Sequence, residues 1–357
     1  MAFPGLQGFD LRASLLALTI GGLGSVVAWL IGLPLPFLLG SVLAVAVAGL
    51  GGFRPFGVVP AMPEKIRLFF VPVIGVSIGS AFTPEVLDEI PRWWPSVLAL
   101  AVFIPVAQFV GYVVFRRMGE IDRATAFYGA APGGLIEAVL LGEQHGADTA
   151  MLTMLQFMRL LLCIVFIPIG ISLWLGHSVG SAAGAVIGGG APLSALDWVI
   201  LTVTGVLGTL IAKRLNFPAW QMTGALLASS IVHLLGHVEG GPPGWLVATT
   251  QLVIGITLGG RFVGRSPRLF FTALRMSGVY VLLVCALAAA VAVPLHHMVD
   301  ESWTAVFLAF APGGLAEMSL IALSLQISVI YVTAHHVLRI VLTVFMARYL
   351  AGYLLER

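Results

Sequence analysis

One seven-residue segment occurs twice in this chain, and it constrains the fold more than any other feature. Ala131-Pro132-Gly133-Gly134-Leu135-Ile136-Glu137 returns 180 residues later as Ala311-Pro312-Gly313-Gly314-Leu315-Ala316-Glu317. The match runs on without a gap through Thr153 and Thr333, Arg159 and Arg339, and Leu162 and Leu342, with 10 identities in the 35 positions of 131–165 against 311–345. Upstream, Ile74-Gly75-Val76-Ser77-Ile78-Gly79 pairs with Ile254-Gly255-Ile256-Thr257-Leu258-Gly259 at the same offset. Gly24, Pro34 and Gly40 pair with Gly208, Pro218 and Gly224 at an offset of 184. Self-similarity at a fixed period over nearly the whole length is the mark of a repeat architecture. The chain is read as a tandem duplication.

The duplicated unit is made for a lipid medium. Only 10% of the 357 residues are charged and 59% are apolar, where a soluble domain carries about 25% charged residues. So few charges cannot cover a water-facing surface. A net charge of +2 without a basic stripe excludes a nucleic-acid binder. Cys163 and Cys285 lie in long apolar runs and imply no disulfide framework. Spans need about 20 apolar residues, and candidates fall near 14–32, 35–51, 66–82, 95–115, 124–142, 149–175, 193–212, 218–236, 245–262, 269–293, 303–325 and 327–353. Trp93, Trp94, Trp198, Trp220, Trp245 and Trp303 cluster at the ends of these spans, as an interfacial aromatic belt does. The uncharged, Gly-rich stretch 177–192 reads as a linker between a first repeat, 1–176, and a second, 193–357. No removable signal peptide is expected, because no basic region precedes a short apolar run and cleavage site.

Loop charges orient the two halves. Cytoplasmic loops carry the excess of Lys and Arg. If all twelve segments crossed, the repeats would be parallel and the cations would divide almost evenly between the two sides. If each APGG segment instead dips in and leaves on its own side, each half has five crossings and the halves are inverted. Arg12, Arg54, Lys65, Arg67, Arg116, Arg117, Arg123, Lys213, Arg214, Arg261, Arg265 and Arg268 then all lie inside, with Arg92 outside. The acidic loops with Glu85, Asp88 and Glu89, and with Asp300 and Glu301, lie outside. The expected fold is therefore an all-α polytopic membrane protein of two inverted-topology repeats. Each repeat has five crossings plus a broken or re-entrant APGG segment, and both termini are cytoplasmic. Proline and paired glycine favour such a break, and unwound backbone at membrane depth survives only where protein or a water-filled cavity meets it.

Four charges fall inside the predicted membrane region at matched positions: Glu137 and Glu317, Arg159 and Arg339. Each costs at least about 2.5–3.5 kcal/mol to insert, so each should face a partner or water. Duplicated opposite charges suggest Glu–Arg pairs, either as structural locks between tip and helix or as part of a site. Thr153, Gln156 and Arg159 are spaced three apart, as are Thr333, His336 and Arg339, so each set shares one helix face. Such a stripe lines a solute path or hydrogen-bonds a neighbouring helix, and His336 is able to titrate near neutral pH. His335 projects about 100° away, so the two histidines form no chelating face. Gly75-x-Ser77-x-Gly79 and its copy carry the spacing of close helix packing, with a cation held by the hydroxyls as the weaker alternative. His233 and His237 have metal-compatible spacing, but no Cys or carboxylate completes a site. No Walker loop, dinucleotide fingerprint or nucleophile elbow is present, and neither a metal nor any other cofactor is expected.

The doubled APGG-Leu-x-Glu block with its Arg-bearing helix resembles the AbrB family of membrane proteins, and the likeness spans both halves. Members have carried an ammonia monooxygenase label, and one was linked to regulating the expression of another gene. The family is similar, distantly, to cation and anion secondary transporters with inverted repeats and broken helices. The resemblance points to 131–137, 311–317, Arg159 and Arg339. The monooxygenase label finds no converging ligand set among the eight histidines. The regulator label finds no DNA-binding segment outside the membrane.

The function expected is secondary transport of a small solute, an organic anion or zwitterion, by alternating access with H⁺ or Na⁺ coupling. The candidate binding residues are Pro132, Gly133, Gly134, Glu137, Gln156, Arg159, Pro312, Gly313, Gly314, Glu317, His336 and Arg339. The expected partners are that solute or ion and the lipid bilayer of a bacterial inner membrane, with a homodimer allowed and no nucleic acid. A membrane sensor without transport is the alternative, and a membrane oxidoreductase the third. The chain is not expected to be an enzyme.

Overall fold

A computed structural model describes residues 10–176 and 193–355, and every regular element in them is helical. The stretch read as the linker, 177–192, lies outside the described residues. The first half contains α1 (Leu11–Leu30), α2 (Pro36–Leu50), α3 (Glu64–Gly79), α4 (Pro84–Glu89), α5 (Trp94–Gly119), α6 (Arg123–Gly129), α7 (Leu135–Gln144) and α8 (Thr149–Leu175). The second contains α9 (Ala195–Arg214), α10 (Trp220–Leu234), α11 (Gly244–Gly260), α12 (Pro267–Val299), α13 (Trp303–Phe310), α14 (Leu315–Ser324) and α15 (Val329–Leu355). A 3-10 stretch, Ile90–Trp93, joins α4 to α5. The two expected APGG segments are each a pair of short helices separated by the motif.

The duplication extends to the backbone. Leu35 and Ala219, which precede α2 and α10, both take left-handed conformations, with φ of 47° and 49°. Glu120 and Asp300 end α5 and α12 at φ of 50° and 57°. Four non-glycine residues in a region that L side chains rarely adopt, falling in matched pairs, show that the two halves turn their chain the same way.

Among the described residues, six helical stretches are long and apolar enough to cross a membrane: α1, Pro84–Gly119, α8, α9, α12 and Val329–Ala347. The protein is thus an all-α integral membrane protein. The other four expected crossings are shorter: α2 has 15 residues, α3 16, α10 15 and α11 17. At about 1.5 Å per residue they reach about 22–26 Å, against a hydrocarbon core about 30 Å thick. They pack against one another and leave Val47, Phe69, Ile231 and Trp245 exposed. Large apolar side chains on the long helices, such as Leu23, Leu98, Leu207 and Leu282, point outward, where lipid meets them.

Both halves contribute to each of two packing units. In one, α1, α2 and α3 pack with α9, α10 and α11; in the other, α5–α8 pack with α12–α15. Glycines set the first unit. A Cβ on Gly24 would lie 2.4 Å from the Gly40 carbonyl oxygen, and one on Gly208 2.3 Å from that of Gly224. Gly75 and Gly79 of α3 meet α10 in the same manner, while Gly255 and Gly259 of α11 meet α2. The Thr257 hydroxyl bonds the Ile254 carbonyl of its own helix at 2.9 Å, so it is engaged within that contact. Two ion pairs join loops of the two halves. Glu64 pairs with Arg261, and Arg92 with Asp300 at 3.5 Å.

Candidate functional site

Each broken segment starts from a capped helix. The Asp122 side chain accepts the Thr125 N–H at 2.8 Å, and the Ser302 side chain accepts the Ala305 N–H at 3.1 Å. Such caps satisfy backbone donors that the first turn leaves free. Seven residues of α6 and eight of α13 follow before the chain opens at the Pro-Gly-Gly motif. A helix that stops there leaves its last carbonyls unpaired, and at membrane depth no water is at hand to bond them.

The polar stripes of α8 and α15 supply the missing donors. Gln156 donates to the carbonyls of Tyr128, Gly129 and Ala131, at 2.8, 3.2 and 3.2 Å. Arg159 donates to Ala131. In the second half, His336 Nε2 lies 2.9 Å from the Leu308 carbonyl, and Arg339 donates to Ala311 and Gly313. Leu308 stands 180 positions after Tyr128 and Ala311 180 after Ala131, so matched donors serve matched carbonyls. His336 Nδ1 also lies 2.8 Å from Arg339 Nη2. The Glu–Arg pairing suggested by matched charges is not formed. Among the described residues the ion pairs join Glu64 with Arg67 and Arg261, and Arg92 with Asp300. Carbonyl oxygens exposed by each break lie closer to the arginines than any carboxylate does, and they take that role. The Nε–H of both arginines remains buried without a hydrogen-bond partner, as does Gln156 Oε1.

The glutamates take another position. Each is the third residue of the helix after the break, α7 or α14, and folds back over the glycine before it. Glu137 Oε2 lies 3.2 Å from the point where a Gly134 Cβ would sit, and Glu317 Oε2 2.0 Å from that of Gly314. A carboxylate in this first turn lies at the positive end of the helix dipole. Here the halves differ. Gly134 is left-handed at φ 65°, whereas Gly314 is extended at φ −85°, ψ 157°. Glu317 is buried and Glu137 is half-buried.

The two tips reach across the molecule. A Cβ on Gly133 would stand 3.3 Å from Ile340 Cα of α15, and one on Gly314 3.3 Å from Leu160 of α8. Ile340 and Leu160 each follow the arginine of the opposite half. Pro132, Gly133, Gly134, Glu137, Gln156 and Arg159 therefore gather with Pro312, Gly313, Gly314, Glu317, His336 and Arg339 around one place. Tyr280 of α12 joins them, donating its hydroxyl to the Ala130 carbonyl at 3.0 Å. Sequence reading passed it over, since its counterpart is Leu100 and no matched pair marks it. Ser319 was also passed over; it bonds Thr333, the head of the second stripe, at 2.8 Å.

The remaining candidates go elsewhere. His335 leaves His336 and meets Ser96 of α5 at 2.8 Å. His233 bonds the Gly240 carbonyl at 3.0 Å and fastens the end of α10 to the following loop. A cavity of about 300 Å³ lies where the two packing units meet, with Phe82, Thr223, Leu226, Thr333 and Val341 among its walls. A second, of about 640 Å³, lies between α8, α12 and α13 beside Trp174 and Trp303. Its walls carry no charged side chain, which suits lipid contact.

Comparison with known proteins identifies the family. A family model described as transition state regulatory protein AbrB matches residues 37–355. A Bacillus subtilis protein named "Uncharacterized protein YhjN" is 30% identical over 288 residues, covering 76% of this chain and 74% of its own length. An Escherichia coli protein named "Putative regulator AbrB" is 25% identical over 343 residues, covering 94% and 93%.

Proposed function

The chain belongs to the AbrB family, and on that premise we propose that it is a secondary active transporter of a small organic anion or zwitterion, working by alternating access. It acts on its cargo by moving it and carries out no chemistry on it. The observation that carries this reading is the pair of broken tips, one from each repeat, each held by a buried arginine with an Nε–H still unpaired. Two such donors at the meeting point of two repeats suit the carboxylate or phosphate oxygens of a cargo. Broken helices meeting at the repeat interface are where transporters of this architecture bind. The cavity containing Thr333, between the packing units, offers a route to that place. Glu137 and Glu317 balance the arginines and take part in holding a coupling cation, H⁺ or Na⁺.

The inverted arrangement of the repeats is part of the proposal, and the ion pairs support it. If all twelve segments crossed, Glu64 and Arg261 would lie on opposite sides of the bilayer, and so would Arg92 and Asp300. Both pairs are in contact. Five crossings per half put Glu64 with Arg261 on the cytoplasmic side and Arg92 with Asp300 outside. The positive-inside count favours the same arrangement, with both termini cytoplasmic in a bacterial inner membrane.

The test is uptake by the full-length protein in proteoliposomes, with a panel of carboxylates, amino acids and phosphorylated metabolites under imposed pH or Na⁺ gradients. At least one solute should accumulate with a gradient and cease to do so in Arg339→Gln. A correctly folded protein that moves nothing under either gradient would leave the sensor reading in its place.

A further inference from the structure

We propose that the cargo of the two tips is a short zwitterion, a small neutral α-amino acid, with its carboxylate between Arg159 and Arg339 and its ammonium group at the first tip. The inference rests on the transporter reading above and chooses between the two cargo classes which that reading left open. It starts from polar groups that the fold buries without a partner. Gln156 and Arg159 of α8 and Arg339 and Thr343 of α15 are each no more than 2% exposed. Yet Gln156 Oε1, Thr343 Oγ and the Nε–H of both arginines have no hydrogen-bond partner. Buried polar atoms are almost always bonded, and leaving one unbonded is costly, so each of these four calls for a partner.

The fold fixes which way Gln156 points. Its Nε2 donates to the carbonyls of Tyr128, Gly129 and Ala131, at 2.8, 3.2 and 3.2 Å. Turning the amide over would set Oε1 against three carbonyl oxygens, so Oε1 is the atom left over, and it can only accept. Arg159 donates to the same Ala131 carbonyl, so an unpaired acceptor and an unpaired donor belong to side chains that share one anchor. The Thr343 hydroxyl stands against the same tip, 3.3 Å from the point where a Gly133 Cβ would sit. The second repeat is different. His336, at the position matching Gln156, uses both ring nitrogens: Nε2 meets the Leu308 carbonyl at 2.9 Å and Nδ1 meets Arg339 Nη2 at 2.8 Å. Both unpaired oxygens of this set are therefore at the first tip, whereas each tip has one unpaired arginine N–H.

Two N–H donors suit a carboxylate, and two oxygens suit an ammonium group, which donates three hydrogen bonds and accepts none. An anion alone would use the arginines and strand the oxygens, and a cation alone would do the reverse. The two guanidinium groups lie within electrostatic reach of one another, so one carboxylate between them relieves their repulsion. Net charge selects the same cargo. Glu137, Glu317, Arg159 and Arg339 sum to zero, so a zwitterion enters and leaves without changing the charge buried in the membrane, whereas an anion adds one that hydrocarbon disfavours. Leu160 and Ile340, which stand against the tips, are apolar and suit a small side chain without charge.

The test measures binding apart from transport, by the thermal shift of the full-length protein in detergent. The probes are glycine, alanine, serine and valine, each beside the acid that lacks its amino group and the amine that lacks its carboxylate; for alanine these are propionate and ethylamine. At least one amino acid should raise the apparent Tm saturably, and neither of its analogues should match it at about tenfold higher concentration. Gln156→Leu should weaken that amino acid at least about tenfold. Thr343→Val keeps the shape of a side chain whose hydroxyl has no partner in the protein, so it should fold and weaken binding by about two- to tenfold even if Gln156→Leu folds poorly. Acids that bind as well as amino acids, indifference to both substitutions, or no shift with any probe, as when water alone satisfies these atoms, overturns the assignment. If carboxylates or phosphorylated solutes move under a gradient while amino acids neither bind nor move, the zwitterion falls and transport stands. If an amino acid binds as described while nothing moves under either gradient, transport falls and the site stands.

Discussion

The two packing units treat the duplication differently. In the unit of α1–α3 and α9–α11 the copies are nearly interchangeable: Gly24 meets Gly40 as Gly208 meets Gly224, with carbonyl oxygens 2.4 and 2.3 Å from the missing Cβ positions. In the unit that holds the tips, the same seven-residue motif adopts two forms. Gly134 is left-handed and Gly314 extended, and Gly133 rests on the backbone of α15 while Gly313 is covered by the flexible side chain of Met318. Symmetry is kept where backbones touch and lost where the chain is broken. The alternating access proposed above requires this division, a frame that stays the same and two tips that differ. Packed interfaces switch between discrete arrangements rather than deforming smoothly, and the two copies of the motif take two different arrangements.

The largest effect should come from the frame. Gly224→Leu drives a side chain into the Gly208 carbonyl oxygen, 2.3 Å from its Cβ. Overpacking by even a few methylenes costs about 1–3 kcal/mol, and here rigid backbone faces the new atoms. Almost no monodisperse protein should be recovered in size-exclusion chromatography. Gly313→Ala meets only the mobile end of Met318 and should yield normal protein. Equal losses from the two variants would remove the contrast between frame and tips.

Within the tips, Arg339→Gln should be more damaging than Arg159→Gln. Arg339 holds the carbonyls of both Ala311 and Gly313. The Ala131 carbonyl that Arg159 holds is shared with Gln156 at 3.2 Å. A stranded buried polar group costs about 1–3 kcal/mol. Arg339→Gln should therefore lower the apparent Tm in detergent by several degrees and abolish gradient-driven flux, with Arg159→Gln losing about half as much Tm. The reverse order would mean that the second tip is not the more tightly held.

Much of this was legible in the sequence, and the misses have physical causes. Matched positions exposed both breaks and both stripes, because duplicated polar residues in an apolar chain are conspicuous. The partners of the arginines were not legible. A carboxylate declares itself in the sequence, whereas a carbonyl becomes an acceptor only once φ and ψ have opened the helix. Hydropathy marked twelve apolar segments without showing that α2, α3, α10 and α11 are shorter than the six helical stretches long enough to cross a membrane. Tyr280 escaped because its counterpart is Leu100, so a search for matched pairs passes over it.

The glutamates bear on the asymmetry itself. Glu317 is buried against Gly314, while Glu137 is half-buried. Glu317→Gln should reduce gradient-driven flux by at least about tenfold, a change of about 1.4 kcal/mol, with little loss of stability. Glu137→Gln should have the smaller effect on any step that starts from this conformation. Identical effects in pre-steady-state uptake would indicate that the two tips exchange faster than the measured step.

The smallest effect concerns stability against pH at the connection between α12 and α13. Folding raises the Glu301 carboxyl from 4.5 to about 7, so between those values the folded state holds a proton that the unfolded chain has lost. By linkage this contribution is complete below pH 4.5, declines as pH rises, and is gone above about 7. The group is partly open to solvent, so the contribution is of order 1 kcal/mol. Glu301→Gln keeps a neutral side chain at every pH. The variant and parent should melt alike near pH 4.5, and at pH 8 the variant should melt higher by about 2–4 °C. A parent whose Tm is unchanged across that window would place the carboxyl in water.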